Sequence, residues 1–165
     1  MGTFKDFYNS EEKREVLSVI VVNKDSVLSR IVDLFSARGY NIDSLTVAPI
    51  PNSEYSRITI ITFGKTRTID QIVKQLNKLI PVFKVIEHKD VIEKDTVLIK
   101  VPLDQNLSDV DVLARAYHGS ILNVTEDAIV ISATDEPKRI ENFIKVIEKY
   151  KPIEIVRSGV VAMER

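Results

Sequence analysis

The chain has 165 residues, 44% of them hydrophobic and 28% charged, with a net charge of −1 and no cysteine. That size suits one domain or two small ones, with apolar content enough for a true core. Interspersed charge leaves no basic face for nucleic acid, and the missing cysteines exclude disulfides, thiolate metal sites and a cysteine nucleophile.

Residues 1–15, MGTFKDFYNSEEKRE, read as an N-terminal arm in which Phe4, Phe7 and Tyr8 are the only aromatic side chains. The arm has no apolar stretch of signal-peptide length, so export is not expected and the cytoplasm is the expected location. No apolar run in the chain approaches the ~20 residues of a membrane span.

Val16 to Val22 is almost wholly apolar and β-branched, the pattern of a central strand. From Val27 the period becomes helical. Val27, Leu28, Ile31, Val32, Leu34 and Phe35 share one face, and Ser29, Arg30, Asp33 and Ser36 lie opposite. Ser26 can cap that helix and Gly39 can stop it. A strand is predicted over Asn41 to Ala48, then a loop at Pro49 to Ser53, then a strand over Tyr55 to Phe63. Ile69, Ile72, Val73, Leu76, Leu79 and Ile80 repeat at helical spacing up to Pro81, and Val82 to Glu87 closes the unit as a strand. The order is βαββαβ, a ferredoxin-like arrangement.

Lys89 to Asp95 reads as a charged connector, and the order then recurs. Strands are predicted at Thr96 to Val101, Ser120 to Val124, Ala128 to Ala133 and Ile153 to Val156. Helices are predicted at Ser108 to Tyr117, stopped by Gly119, and at Pro137 to Tyr150. The fold class is therefore α+β, with two ferredoxin-like βαββαβ domains, 16–88 and 96–165, joined by 89–95. The second copy replaces Asn23-Lys24-Asp25-Ser26 with the longer turn 102–108, so a second site of the same kind is not expected.

Little in the chain speaks for catalysis. His88 and His118 are the only histidines; one ends a strand and the other precedes a glycine after a helix, and neither position demands chemistry. HExxH, GxGxxG, GxxxxGK[ST] and GxSxG are all absent from the sequence. Ser158 has no base near it in sequence. The turn Asn23 to Ser26 stands out instead, because a helix start offers unpaired N–H groups and a positive dipole end to an anion such as an amino-acid carboxylate. A plain strand–helix connection with an Asn turn and a Ser cap accounts for the same residues.

The runs LSxxVxN (Leu17 to Asn23), LSRIVDLFSARGYNIDSLTVAP (Leu28 to Pro49) and SRITI (Ser56 to Ile60) resemble the small, regulatory subunit of acetolactate synthase. Arg157-Ser158-Gly159 resembles that family's closing motif. The resemblance spans roughly Val16 to Val161. It is most specific over Phe35 to Pro49 and loose over Leu103 to Lys151. It implies that 16–88 is an ACT domain, with an antiparallel sheet, helices on one face, and roles in amino-acid binding and dimerisation. It implies a homodimer through that domain and a partnership with the large catalytic subunit, which would carry thiamine diphosphate, Mg and FAD; none is expected on this chain. The implied effector is a branched-chain amino acid, valine foremost, acting by feedback inhibition. The implied site takes Asn23, Asp25, Ser26, Val27 and Leu28 from the turn of one chain, and Asn41 and Ile42 from the other. No catalytic or metal residue is implied. A free-standing ACT-domain sensor that controls another protein is the alternative.

The family pattern has glycine where this chain has Ser26. A serine hydroxyl that caps the helix would stabilise its start by roughly 0.5–2 kcal/mol. A serine forced to positive φ would carry strain of order 1 kcal/mol or more, and its Cβ and Oγ would crowd an effector carboxylate.

Overall fold

The computed structural model describes residues 12–104 and 106–165. Residues 1–11, with the predicted aromatic patch of Phe4, Phe7 and Tyr8, lie outside the described residues, as does Gln105. The chain forms two compact units. One holds residues up to Val91 together with Ala162–Arg165, and the other holds Ile92–Val161.

The first unit runs β1 (Lys13–Val22), α1 (Val27–Ala37), β2 (Ser44–Pro49), β3 (Tyr55–Gly64), α2 (Thr66–Asn77) and β4 (Val82–Glu87). Its sheet is antiparallel in the order β2-β3-β1-β4, which leaves β2 and β4 as edges. Alternation along β1 sends Leu17, Val19 and Val21 to one face, where Ile58 and Ile60 of β3 stand opposite. Residues of both helices, among them Ile31, Phe35, Ile72 and Leu76, close over that same face. Each of these four is 0–1% exposed, and full burial of such a side chain stabilises by about 1.5–3 kcal/mol.

The stop of α1 shows how local chemistry sets the path to β2. Gly39 has φ +68. Its N–H donates to Ser36 O at 3.1 Å and the Tyr40 N–H donates to Phe35 O at 2.9 Å. These are the two bonds of a Schellman motif. The Phe35 and Tyr40 rings meet edge to face at 6.2 Å, the apolar contact that accompanies it.

Several boundaries differ from those predicted. β1 begins at Lys13, inside the predicted arm, because the charged residues 13–15 extend the ladder opposite Thr62 to Gly64. β2 starts at Ser44 rather than Asn41, and it ends on Pro49, whose missing N–H is harmless on an edge strand. The predicted connector is mostly strand, since β5 spans Val91–Pro102.

The second unit continues with α3 (Leu107–Ala116), β6 (Gly119–Val124), β7 (Ala128–Asp135), α4 (Pro137–Ile147), a short 3-10 turn (Glu148–Tyr150) and β8 (Glu154–Arg157). Its sheet order is β6-β7-β5-β8. Val97, Ile99 and Val101 meet Ile129, Ile131, Phe143 and Ile147 in a second core. Gly119 does not stop α3 as predicted. His118 takes the left-handed turn with φ +57, and Gly119 opens β6. A last strand, β9 (Val161–Glu164), has no counterpart in the predicted elements.

A buried carboxylate ties this unit's helices together. Asp135, 1% exposed, accepts from Arg139 Nε at 2.6 Å, the Glu136 N–H at 2.8 Å and His118 Nδ1 at 3.0 Å. Arg139 also donates to Ala116 O at the end of α3 and lies 5.3 Å from the Tyr117 ring centroid. Burial pushes the Asp135 carboxyl up, but the bonds from Arg139, the Glu136 amide and His118 outweigh it and hold it well below the usual carboxylate range. A carboxyl depressed in the folded state stabilises fully above its unfolded value, about 3.9, and that stability is lost as pH falls below it. Asp135→Asn is accordingly expected to cost roughly 1.5–3 kcal/mol at pH 7, the worth of hydrogen bonds to a charged group. The gap between wild type and variant should narrow below about pH 4. Urea melts at pH 7 and pH 3 measure both; a gap independent of pH would refute the assignment.

Candidate effector site

Two backbone bonds carry the end of β1 into the turn. The Val22 N–H donates to Pro81 O at 3.0 Å, and the Asn23 N–H donates to Glu54 O at 2.9 Å. Glu54 and Pro81 hold the turn through their carbonyls, so no side-chain pattern announces them. Asn23, Lys24, Asp25 and Ser26 are all exposed. The helix dipole points its positive end at this exposed turn, and the first amides of α1 have no intrahelical acceptors.

Ser26 is the N-cap of α1, with φ 69 and ψ −1, in the left-handed region. Its side chain makes no cap hydrogen bond. The predicted hydroxyl cap is therefore not formed; the bond runs the other way, from Ser29 Oγ to Ser26 O at 3.1 Å. A left-handed N-cap aims Oγ away from the N2 and N3 amides that an extended N-cap would reach. Positive φ at a residue bearing a Cβ costs roughly 1–2 kcal/mol.

The other site residues are placed unequally. Val27 is 5% exposed and belongs to the core, so its side chain is committed there. Leu28 is 38% exposed and Val32 36%, so this side of α1 faces outward instead of joining the predicted buried face. Asn41 is exposed, and its carbonyl accepts from Thr62 Oγ1 at 2.6 Å. Ile42 is half-buried against the first core. The Asp43 N–H donates to Ile61 O at 2.8 Å, which fixes this loop at the end of β3.

Asn23 hangs on Glu54, just before β3, whereas Asn41 hangs on Thr62, near its far end. Eight residues of strand separate the two anchors, about 25 Å at the usual rise. A free amino acid is far too short to touch both in one chain.

Ser158 is accounted for structurally. Its Oγ accepts from the Thr96 N–H at 2.9 Å and donates to Gly159 O at 2.9 Å, tying the Arg157-Ser158-Gly159 segment to β5. Arg157 pairs with the buried Asp95 and donates to Pro137 O at 2.9 Å. Among the described residues, no group of three or more His, Cys, Asp or Glu side chains could hold a metal ion. No described helix is long and apolar enough to cross a membrane.

Residues 17–84 match the family model described as the AHAS small subunit-like ACT domain, and residues 94–165 match that of the small subunit of acetolactate synthase. An acetolactate synthase small subunit from Buchnera aphidicola subsp. Baizongia pistaciae is 40% identical over 156 residues, 92% of this chain and 98% of the relative. The chain belongs to the acetolactate synthase small-subunit family. A probable small subunit from Archaeoglobus fulgidus is 34% identical over 154 residues, 92% of this chain and 97% of the relative. The crystal structure of the Thermotoga maritima small subunit superposes with a TM-score of 0.86 at 33% identity, covering 93% of this chain and 98% of that one. As a small-subunit family member the chain is a regulatory subunit, and its first unit is an ACT domain.

The glycine-to-serine departure at position 26 now has a defined backbone. Ser26→Gly relieves the left-handed strain of about 1 kcal/mol and loses no cap bond. Glycine's extra freedom in the unfolded chain offsets this by a similar amount. The melting temperature is therefore expected to stay close to wild type, while a valine carboxylate held at the start of α1 is expected to bind severalfold more tightly, because the Ser26 Cβ no longer limits how closely it approaches the backbone. Calorimetric titration of both proteins decides it; equal or weaker binding by the glycine variant would show that serine is neutral or itself a contact.

Proposed function

We propose that this chain activates the large catalytic subunit of acetolactate synthase and makes it subject to feedback inhibition by a branched-chain amino acid, valine foremost. In this reading the large subunit, with its own thiamine diphosphate, Mg and FAD, condenses pyruvate with pyruvate or 2-oxobutyrate. This chain supplies no reacting group. It senses the end product and alters its partner.

The observation that carries the reading is the separation of Asn23 from Asn41 by the length of β3 within one chain. Two chains that join their β2 edges antiparallel into one sheet bring the turn of each close to the Asn41–Ile42 loop of the other. Such pairing also covers an exposed sheet edge. The amides at the start of α1 then meet the effector's carboxylate. Asn23 and Asn41, each with a donor and an acceptor, meet its charged groups. Leu28 and Ile42 border a short aliphatic side chain.

Mixing the purified chain with its cognate large subunit, and assaying acetolactate with and without valine, leucine and isoleucine, tests the reading. The expected outcome is no acetolactate from this chain alone, a raised rate on addition to the large subunit, and inhibition strongest with valine. An unchanged large-subunit rate would sink the activation claim, and a mixture indifferent to all three amino acids would sink the feedback claim.

A further inference from the structure

Four side chains from four separate segments of the first unit form one hydrogen-bonded line. Arg57 Nε on β3 donates to Ser18 Oγ on β1 at 3.2 Å. Ser18 Oγ lies 2.7 Å from His88 Nε2, just past β4. His88 Nδ1 lies 2.8 Å from Glu164 Oε2 on β9. The two ends fix the direction of the line, because a guanidinium only donates and an ionised carboxylate only accepts. Ser18 takes the hydrogen of Arg57 and gives its own to Nε2, and the Nδ1–H points at Glu164. This assignment leaves no hydrogen along the line without an acceptor, though the His88 side chain is only 1% exposed.

Glu164 is bound from a second side. Its Oε1 accepts the Asp90 N–H at 3.2 Å. The Arg165 N–H donates to Asp90 O at 2.8 Å, and the Arg165 guanidinium pairs with the Asp90 carboxylate at 3.3 Å. The hydrogen bonds from His88 and the Asp90 amide hold the Glu164 carboxyl below its usual range. Residues 162–165 therefore belong to the first unit, although 92–161 between them and residue 91 form the second. The second unit is continuous with the first at both of its chain ends, and the later crossing is held by the pairing of β9 with β5 and by the side-chain bond to His88.

We propose that Arg57, Ser18, His88 and Glu164 are positioning residues that clasp the C-terminal strand to the ACT unit, so that effector binding reaches the second unit through two attachments instead of one. The inference rests on the regulatory reading above. Ser18 lies on β1, the strand that ends in the Asn23 turn, so a change in the turn is passed along a central strand to the clasp. None of the four residues is placed in the effector site.

The test uses the full chain with its cognate large subunit, as wild type, Glu164→Ala and Glu164→Gln. Alanine removes both acceptor oxygens, whereas glutamine keeps one for His88 or the Asp90 amide. Glu164 is half-exposed, so both variants keep the core intact. The Arg165 amide is expected to exchange at least about tenfold faster in Glu164→Ala, with glutamine nearer wild type. Valine affinity of the isolated small subunit is expected to stay within about twofold in both variants, because Glu164 supplies no contact to the effector. The valine concentration for half-inhibition of the reconstituted enzyme is expected to rise at least about fivefold in Glu164→Ala, the lower end of ordinary coupling. Glutamine should restore part of it. Unchanged Arg165 exchange in the alanine variant overturns the clasp. Inhibition curves that superimpose, with the strand released, overturn its role in transmission. A wild type that does not bind valine overturns the regulatory reading and the transmission with it, and the exchange measurement still decides the clasp.

Discussion

Asn41→Ala is expected to weaken valine binding tenfold to a hundredfold while the protein stays folded and paired. Losing a hydrogen bond to a charged group costs about 1.5–3 kcal/mol, and each 1.4 kcal/mol is a factor of ten. The fold should be indifferent, because what Asn41 gives the ACT unit is its backbone carbonyl, which accepts from Thr62 Oγ1. Alanine keeps that carbonyl. The amide side chain is exposed, so truncating it opens no cavity. Calorimetry on the variant, with sedimentation to verify its association state, gives the answer. Unchanged affinity in a folded dimer would remove Asn41 from the site.

A large loss of stability is expected from Gly119→Ala. A Cβ built at Gly119 would stand 2.5 Å from Ser132 O, 2.9 Å from Ala133 Cβ and 3.0 Å from Ala114 O. Two of these are backbone atoms, one in β7 and one in α3, so no side-chain rotation relieves the clash. Overpacking of this kind costs typically 1–3 kcal/mol, and a fixed backbone puts this site at the upper end. In a unit this small, that lowers the melting temperature by on the order of 10 °C. Gly39 makes the internal contrast. A Cβ there meets nothing within 4 Å, so Gly39→Ala costs only the left-handed strain of roughly 1–2 kcal/mol. Thermal melts of the two variants side by side test the ordering. A Gly119→Ala protein as stable as Gly39→Ala would mean that β6 can slide away from α3.

These two glycines also show what a sequence reveals and what it hides. Gly39 follows a helical run and precedes a strand, and the expected stop is there with both Schellman bonds. Gly119 has the same neighbourhood in sequence, yet His118 makes the turn and the glycine serves close packing between α3 and β7. Only the third dimension separates the two roles. Long periodic segments were legible for the same reason as Gly39: their apolar spacing is a local signal. β9 was not legible, because four residues of mixed exposure carry no period.

The candidate site was legible through a resemblance more than through its chemistry. The resemblance points to the turn at 23–26 and the segment at 41–42, but their separation by the whole of β3 follows only from the strand register. The left-handed backbone of Ser26 has no sequence signal, since serine is a common residue at ordinary N-caps. The clasp at His88 joins positions 39, 70 and 76 residues apart. No spacing rule reaches that far, and each of its members alone reads as an ordinary surface or strand residue.

Because Asn23 and Asn41 stand at opposite ends of β3, a site that uses both exists only while two chains are joined. Ligand and association are then thermodynamically linked, and whatever factor pairing adds to valine affinity, valine adds to pairing. Apparent affinity becomes a function of protein concentration, falling as the chains are diluted toward separation. In a cell, the abundance of this subunit would therefore set how much end product is needed to register, with no change in any residue of the site.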